Sequence, residues 1–171
     1  MELEMFTGIP EMNMDDSETG CCPKFDPTHW DRKVMKLENL RMVKASTRSF
    51  IYIPLNMGRV MTKTMTAITK AEADCKNKYL ILSQDQSRWR CDHYILVDKE
   101  VPGLNNVLFS GTFITMVFEG DYSQISKWIP LLEKQISEKS AHMKSVYAFY
   151  TTCPKCAKHY GKNYVVLFGE I

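Results

Sequence analysis

The chain has 171 residues, 44% of them hydrophobic and 25% charged, and no unbroken apolar run approaches the roughly 18 residues a membrane span needs. A chain of this length buries about 70% of the surface its unfolded form exposes, so one soluble domain with a sizeable core is expected without disulfides or metals to hold it. The net charge of +2 conceals a split: residues 1–31 carry eight acids and one base, and residues 32–171 carry twelve acids and twenty-one bases.

A basic body attracts phosphates, but these bases are scattered and no block of five or six like charges occurs. The expectation is an acidic arm folded back over a basic body, with nucleic acid an unlikely partner and no membrane partner. The start, Met1-Glu2-Leu3-Glu4-Met5-Phe6, is acidic where a secretory signal is basic and a transit peptide Arg-rich, which points to the cytoplasm. Disulfides are rare there, so the six cysteines are read as thiols, metal ligands or redox groups.

Residues 1 to about 28 contain Gly8, Pro10, Gly20, Pro23 and Pro27 among acids, show neither helical nor strand periodicity, and read as an irregular arm. Val34-Met35-Lys36-Leu37 and Leu40-Arg41-Met42-Val43-Lys44 alternate around Glu38-Asn39 and predict a hairpin. The arm and this hairpin, residues 1–45, are expected to pack on a body of residues 46–171. Ser49 to Pro54 is β-rich, and Val60, Met61, Thr64, Met65 and Ile68 then form the apolar stripe of a helix. Tyr79-Leu80-Ile81-Leu82 and His93-Tyr94-Ile95-Leu96-Val97 predict strands on either side of a polar segment holding Gln84, Asp85, Arg88 and Arg90.

The second half follows the same order. Gly111 to Phe118 predicts a strand and Glu119-Gly120-Asp121 a turn in which Asp121 or Ser123 caps a helix. Tyr122, Ile125, Trp128, Ile129, Leu132 and Ile136 carry helical spacing, with Pro130 expected to kink the helix or displace its start. Val146 to Tyr150 and Tyr164 to Phe168 predict two more strands. Strand-helix-strand-strand twice over predicts an α+β domain: tandem βαββ repeats forming an antiparallel sheet, two helices on one face and a central cleft.

Leu108-Phe109-Ser110-Gly111-Thr112-Phe113, Phe118-Glu119-Gly120-Asp121-Tyr122, the helix through Trp128, Val146-Tyr147 entering a strand, and the closing Val165 to Ile171 strand together resemble the gyrase-inhibitory-protein-like (GyrI-like) domain. The likeness covers roughly residues 46–171. It implies a bacterial, cleft-bearing tandem βαββ fold that takes small amphipathic or aromatic molecules, either to bind them, to inhibit a partner protein, or to hydrolyse strained cyclopropane-containing toxins. Ligand-sensing members carry a buried Glu two positions before the strand Tyr; Ser145 stands there in this chain. The ligand-binding candidates are Trp128, Tyr122, Tyr147 and Phe149, all of which would equally suit an ordinary core. The leading expectation is a stand-alone binding or sequestering protein. Its enzyme alternative is a hydrolase of a reactive small molecule with Glu119 and Tyr147 as catalytic groups, and a protein-binding inhibitor is the third option.

The sharpest local motif is Thr152-Cys153-Pro154-Lys155-Cys156-Ala157-Lys158-His159. A Cys-Pro-x-Cys turn aims two sulfurs at one point, His159 follows three residues on, and the arm offers Gly20-Cys21-Cys22-Pro23. Cys21, Cys22, Cys153, Cys156 and His159 are therefore the candidate metal ligands, with zinc the matching ion. A redox or disulfide link between arm and loop and a set of free thiols are the alternatives; the usual redox motif opens a helix, whereas this one is placed in a hairpin-like loop. Cys75 and Cys91 read as packing residues.

Overall fold

The computed structural model describes residues 2–171. In chain order it contains β1 (Glu4–Thr7), a 3₁₀ turn (Pro27–His29), β2 (Lys33–Phe50), β3 (Ile53–Pro54), α1 (Met57–Lys70), β4 (Ile81–Ser87) and β5 (Arg90–Leu96). Then come β6 (Asn105–Glu119), a second 3₁₀ turn (Tyr122–Gln124), α2 (Ile125–Ser137), β7 (Ser145–Tyr150), α3 (Pro154–Tyr160) and β8 (Tyr164–Glu170). The class is mixed α and β: β2 pairs antiparallel with β3 and β5, β4 with β5, and β8 with β6 and β7, while β1 runs parallel to the start of β2. The chain divides into two compact units: Met1–Glu38 with Ser110–Ile171, and Asn39–Phe109. The arm thus shares a unit with the second half of the chain.

In the first unit β8 lies between β6 and β7, with Phe113 opposite Glu170 and Ser145 opposite the same residue. Alternation gives this sheet two apolar faces. One carries Ile114, Phe118, Ala148, Val165 and Leu167 and receives Trp128, Leu132 and Ile136 of α2. Trp128 stacks on Phe118, ring centroids 5.1 Å apart and planes within 9°. Gly169 lets α2 approach, since a Cβ there would stand 2.4 Å from Ile136 Cδ1. The other face is aromatic: Phe149 and Phe168 meet Trp30, which follows the first 3₁₀ turn, and Phe113 meets Phe168. That turn is set by Asp26, whose carboxylate accepts from the Thr28 N–H, with Pro27 at the first position.

In the second unit β5 lies between β2 and β4. Val43, Ile81 and Ile95 share the face covered by Met61, Met65 and Ile68 of α1, as the stripe predicted.

Three local expectations change. Val34–Lys44 is no hairpin but part of the single strand β2; Asn39 takes a positive φ of 49°, which absorbs the break in alternation without reversing the chain. The polar segment after Leu82 is itself strand: β4 and β5 run on to a tight turn at Arg88-Trp89, because the polar residues lie on the exposed ends of a paired hairpin. Cys-Pro-x-Cys opens a helix instead of sitting in a bare loop, with Cys153 at the N-cap, Pro154 at the first position and Gly161 closing it at φ 69°. Pro130 stays inside α2, whose start is displaced past the 3₁₀ turn that Asp121 caps.

Candidate metal centre and buried histidine

The arm and the α3 turn meet in the first unit. The sulfurs of Cys21, Cys22, Cys153 and Cys156 all lie within 4.8 Å of one another, and those of Cys21 and Cys22 are 3.7 Å apart. Four thiolates about 2.3 Å from a tetrahedral zinc would have sulfurs roughly 3.8 Å apart, so the cluster needs only a small contraction to close on an ion. The adjacent Cys21 and Cys22 both reach the same point.

The surroundings are those of a ligand set held from outside. The Cys153 N–H donates to Cys22 Sγ at 3.4 Å, and the Thr19 hydroxyl stands 3.2 Å from Cys156 Sγ. The Tyr160 hydroxyl donates to the Cys22 carbonyl at 2.6 Å, and Ser17 donates to the same carbonyl at 2.9 Å. Burial pushes the Cys21 and Cys22 thiols up. Burial also opposes ionisation of Cys156, but hydrogen bonds from Thr19, Cys153 and Cys22 outweigh it and bring that thiol down to about 7. One sulfur is thus ready to lose its proton first, which suits a site that assembles around a cation. His159 is not in this set: its Nε2 lies 3.1 Å from Glu18 Oε2, and Glu18 also pairs with Lys24 at 2.6 Å.

The other site candidates are spread over the two faces of the first unit's sheet. Trp128 is buried against Phe118 on the α2 face, and Tyr122 packs there edge-on to Tyr150 while its hydroxyl donates to the Thr152 carbonyl. Phe149 is fully buried beside Trp30, and Tyr147, on the same face, meets Phe113 edge-on. Glu119 pairs with Tyr164 and Tyr147 with Phe168, on opposite sides of β8. Four residues along the strand and two strand spacings across put Glu119 and Tyr147 on the order of 16 Å apart. They do not converge on one bond.

A constellation that sequence spacing missed lies in the second unit. His93, 1% exposed, stands between two hydroxyls: Ser83 Oγ is 2.7 Å from Nδ1 and Thr47 Oγ1 is 2.9 Å from Nε2. Thr47 directs its own proton at the Cys91 carbonyl, 3.4 Å away, which leaves its oxygen to accept from Nε2–H and leaves Nδ1 to accept from Ser83. Burial holds His93 below its usual value, with Asp92 working the other way. Asp92, itself buried, is held as a carboxylate by Ser46 at 2.6 Å, Arg90 at 2.9 Å and Lys44 at 3.2 Å. Cys91, on the same face as His93, has its thiol pushed up to about 12 by burial, so it is no nucleophile at neutral pH.

A neutral buried imidazole has a stability consequence. The unfolded chain takes up a proton near 6.5, while the folded chain resists it until lower pH. The contribution of His93 is therefore full above pH 6.5 and is lost as pH falls below it, at up to about 1.4 kcal/mol per pH unit. Urea denaturation between pH 7.5 and 5.5 is expected to show this slope in the wild type, and His93→Gln is expected to remove it.

Comparison with known families decides the broader class. The model of a family described as "Bacterial hydrolase" matches residues 12–171. The chain belongs to the bacterial hydrolase family. The match takes in both units, from the arm through the cysteine cluster to the last strand. No curated protein matches the sequence. Among the described residues, no helix is long and apolar enough to cross a membrane.

Proposed function

We propose that this member of the bacterial hydrolase family hydrolyses a small ester, lactone or amide, with Ser83 as nucleophile and His93 as its base. The observation that carries the reading is the 2.7 Å contact between Ser83 Oγ and Nδ1 of a neutral histidine whose tautomer Thr47 fixes. Both residues are buried, Ser83 at 8% and His93 at 1% exposure, so a substrate would have to reach the pair through an opening of the surrounding packing. As its oxygen attacks the carbonyl carbon, the Ser83 proton passes to Nδ1. The imidazolium then returns that proton to the leaving group as the scissile bond breaks. Water attacks the acyl-serine in the second half, His93 taking its proton and returning it to Ser83. Asp92 is committed to Lys44 and Arg90, and the role a carboxylate usually plays falls to the Thr47 hydroxyl.

The cysteine cluster, with zinc as the ion it suits, has a separate role in this reading. Four thiolates fill a tetrahedral ion's coordination and leave no position for water or substrate, which makes the site structural: it ties the arm to α3. The GyrI-like resemblance of the second half supports a small amphipathic or aromatic molecule as the substrate class.

Turnover of p-nitrophenyl esters and of activated cyclopropane compounds tests the proposal. Ser83→Ala is expected to lower kcat/KM by about a thousandfold or more, and a fluorophosphonate probe is expected to label Ser83. Glu119→Gln and Tyr147→Phe are expected to leave turnover intact. Undiminished turnover in Ser83→Ala would overturn the assignment, and a compound that binds without being consumed would favour sequestration.

A further inference from the structure

Between Asn39 and Ala71 the chain carries six bases, Arg41, Lys44, Arg48, Arg59, Lys63 and Lys70, and no acid. The same stretch holds Phe50-Ile51-Tyr52-Ile53-Pro54-Leu55, an apolar run with no polar residue in it. A folded chain would ordinarily bury such a run. Here Phe50, Ile51, Tyr52, Ile53, Leu55 and, from the β4–β5 turn, Trp89 are each more than half exposed.

The two turns form one platform. Ser49 N–H donates to the Trp89 carbonyl at 2.8 Å, Tyr52 N–H to the Arg88 carbonyl at 3.0 Å, and Leu55 N–H to the Arg48 carbonyl at 2.8 Å. The rings of Phe50 and Trp89 meet at 5.5 Å. Ile51 and Tyr52 are held at φ 47° and 67°, a region a β-branched residue rarely enters. Strained backbone that exposes apolar side chains is a feature of sites that engage something outside the chain.

We infer that this tip docks on an anionic lipid surface. Aromatic and aliphatic side chains enter the headgroup layer, and the exposed Arg48, Arg59 and Arg88 meet lipid phosphates. Arg90 is shared with Asp92, which also engages Lys44, so that acid does not oppose the field; Asp85 is the remaining acid on β4 and β5, and Glu38 lies towards the other end of β2. A single-stranded nucleic acid would use the aromatic rings as stacking platforms, yet Ile51, Ile53 and Leu55 offer it no π-face. A bilayer uses all six. The lack of a membrane-spanning helix among the described residues concerns crossing, not docking.

Co-sedimentation of the whole protein with vesicles of equal parts phosphatidylglycerol and phosphatidylcholine tests the inference. Binding is expected to these vesicles, to weaken at raised salt, and to fail on phosphatidylcholine alone. Trp30 and Trp128 are buried, so a blue shift of tryptophan emission on binding reports Trp89. The exposed positions tolerate polar substitution without unfolding, and Ile51→Ser with Trp89→Ser is expected to weaken binding roughly tenfold or more. The inference is overturned by absence of binding to the anionic vesicles, by binding that survives the double substitution, by binding of a mixed-sequence single-stranded oligonucleotide in place of vesicles, or by a vesicle-free dimer in sedimentation velocity that the double substitution dissolves.

Discussion

Removing the metal from protein loaded with zinc is expected to free the arm from α3. A chelator should extract one ion per chain, and residues 13–24 should then become open to protease while the sheet of the first unit persists. The physical reason is that the contacts fixing this part of the arm gather at the cluster: Thr19 at Cys156, Cys22 at the Cys153 N–H, and Tyr160 at the Cys22 carbonyl. Without an ion the sulfurs of Cys21 and Cys22, pushed towards the protonated form by burial, have no strong partner. With zinc about a thousandfold above its dissociation constant, mass action alone contributes about 4 kcal/mol of stability. Cys156→Ser should lose most of this and bind no ion tightly. Loading at pH 7 should release protons from the cluster's thiols, so affinity should fall steeply as pH drops. Elemental analysis, thiol titration with and without chelator, and limited proteolysis check all of this. Protein with no ion and six freely titrating thiols would remove the metal from the account, and a Cys22–Cys153 disulfide found by mass mapping would replace it with a redox link.

The cysteine cluster was legible because its signal is chemical: Cys153-Pro-x-Cys156 and Cys21-Cys22 are two turns that each present sulfur, and soft ligands have few other reasons to gather. The acidic arm and basic body pointed the same way, and Glu4 paired with Lys33 is an ion pair across that division, whereas Lys24, the partner of Glu18, belongs to the acidic segment itself. His159 was misassigned for a local reason. Spacing brings it near the sulfurs, but the Glu18 carboxylate claims its Nε2, and no spacing rule sees a carboxylate 141 residues away. The pair Ser83 and His93 was hidden because the first strand was ended at Leu82 and the residues up to Arg90 were read only as a polar segment between two strands. A hairpin turning at Arg88-Trp89 sets residue 83 opposite residue 93, and the run Ser83-Gln84-Asp85-Gln86, polar on both faces, carries no alternation that would have marked it as strand. The strand-versus-helix pattern of α1 and α2 was plain because their apolar residues repeat at helical spacing over about two and three turns respectively. The aromatic candidates were ambiguous for the opposite reason: an aromatic side chain suits a core and a ligand equally, and only the packing partners of Trp128 and Phe149 distinguish the two.

Trp30→Ala is expected to be the most damaging single truncation in the first unit, lowering stability by about 3–5 kcal/mol. Trp30 is 2% exposed and its ring meets Phe25, Phe149 and Phe168 at centroid distances of 5.8, 5.3 and 6.3 Å. Its backbone is fixed as firmly as its ring. The Trp30 carbonyl accepts from the Thr115 hydroxyl at 2.5 Å, and the next residue, Asp31, accepts from the Val117 N–H at 2.9 Å. A smaller side chain would leave a void walled by three rings that are themselves pinned to β7, β8 and the arm, so collapse cannot fill it. Trp89→Ala is the matched control, because the same change at an exposed position should shift stability by no more than about 0.5 kcal/mol. Urea denaturation of both variants, followed by far-ultraviolet circular dichroism, reads the difference. Equal losses in the two would mean that the aromatic face is not the centre of this core. A large loss confined to Trp30→Ala would place the arm among the elements that hold the first unit together, since Phe25 and Trp30 enter that core from the acidic segment and not from the sheet.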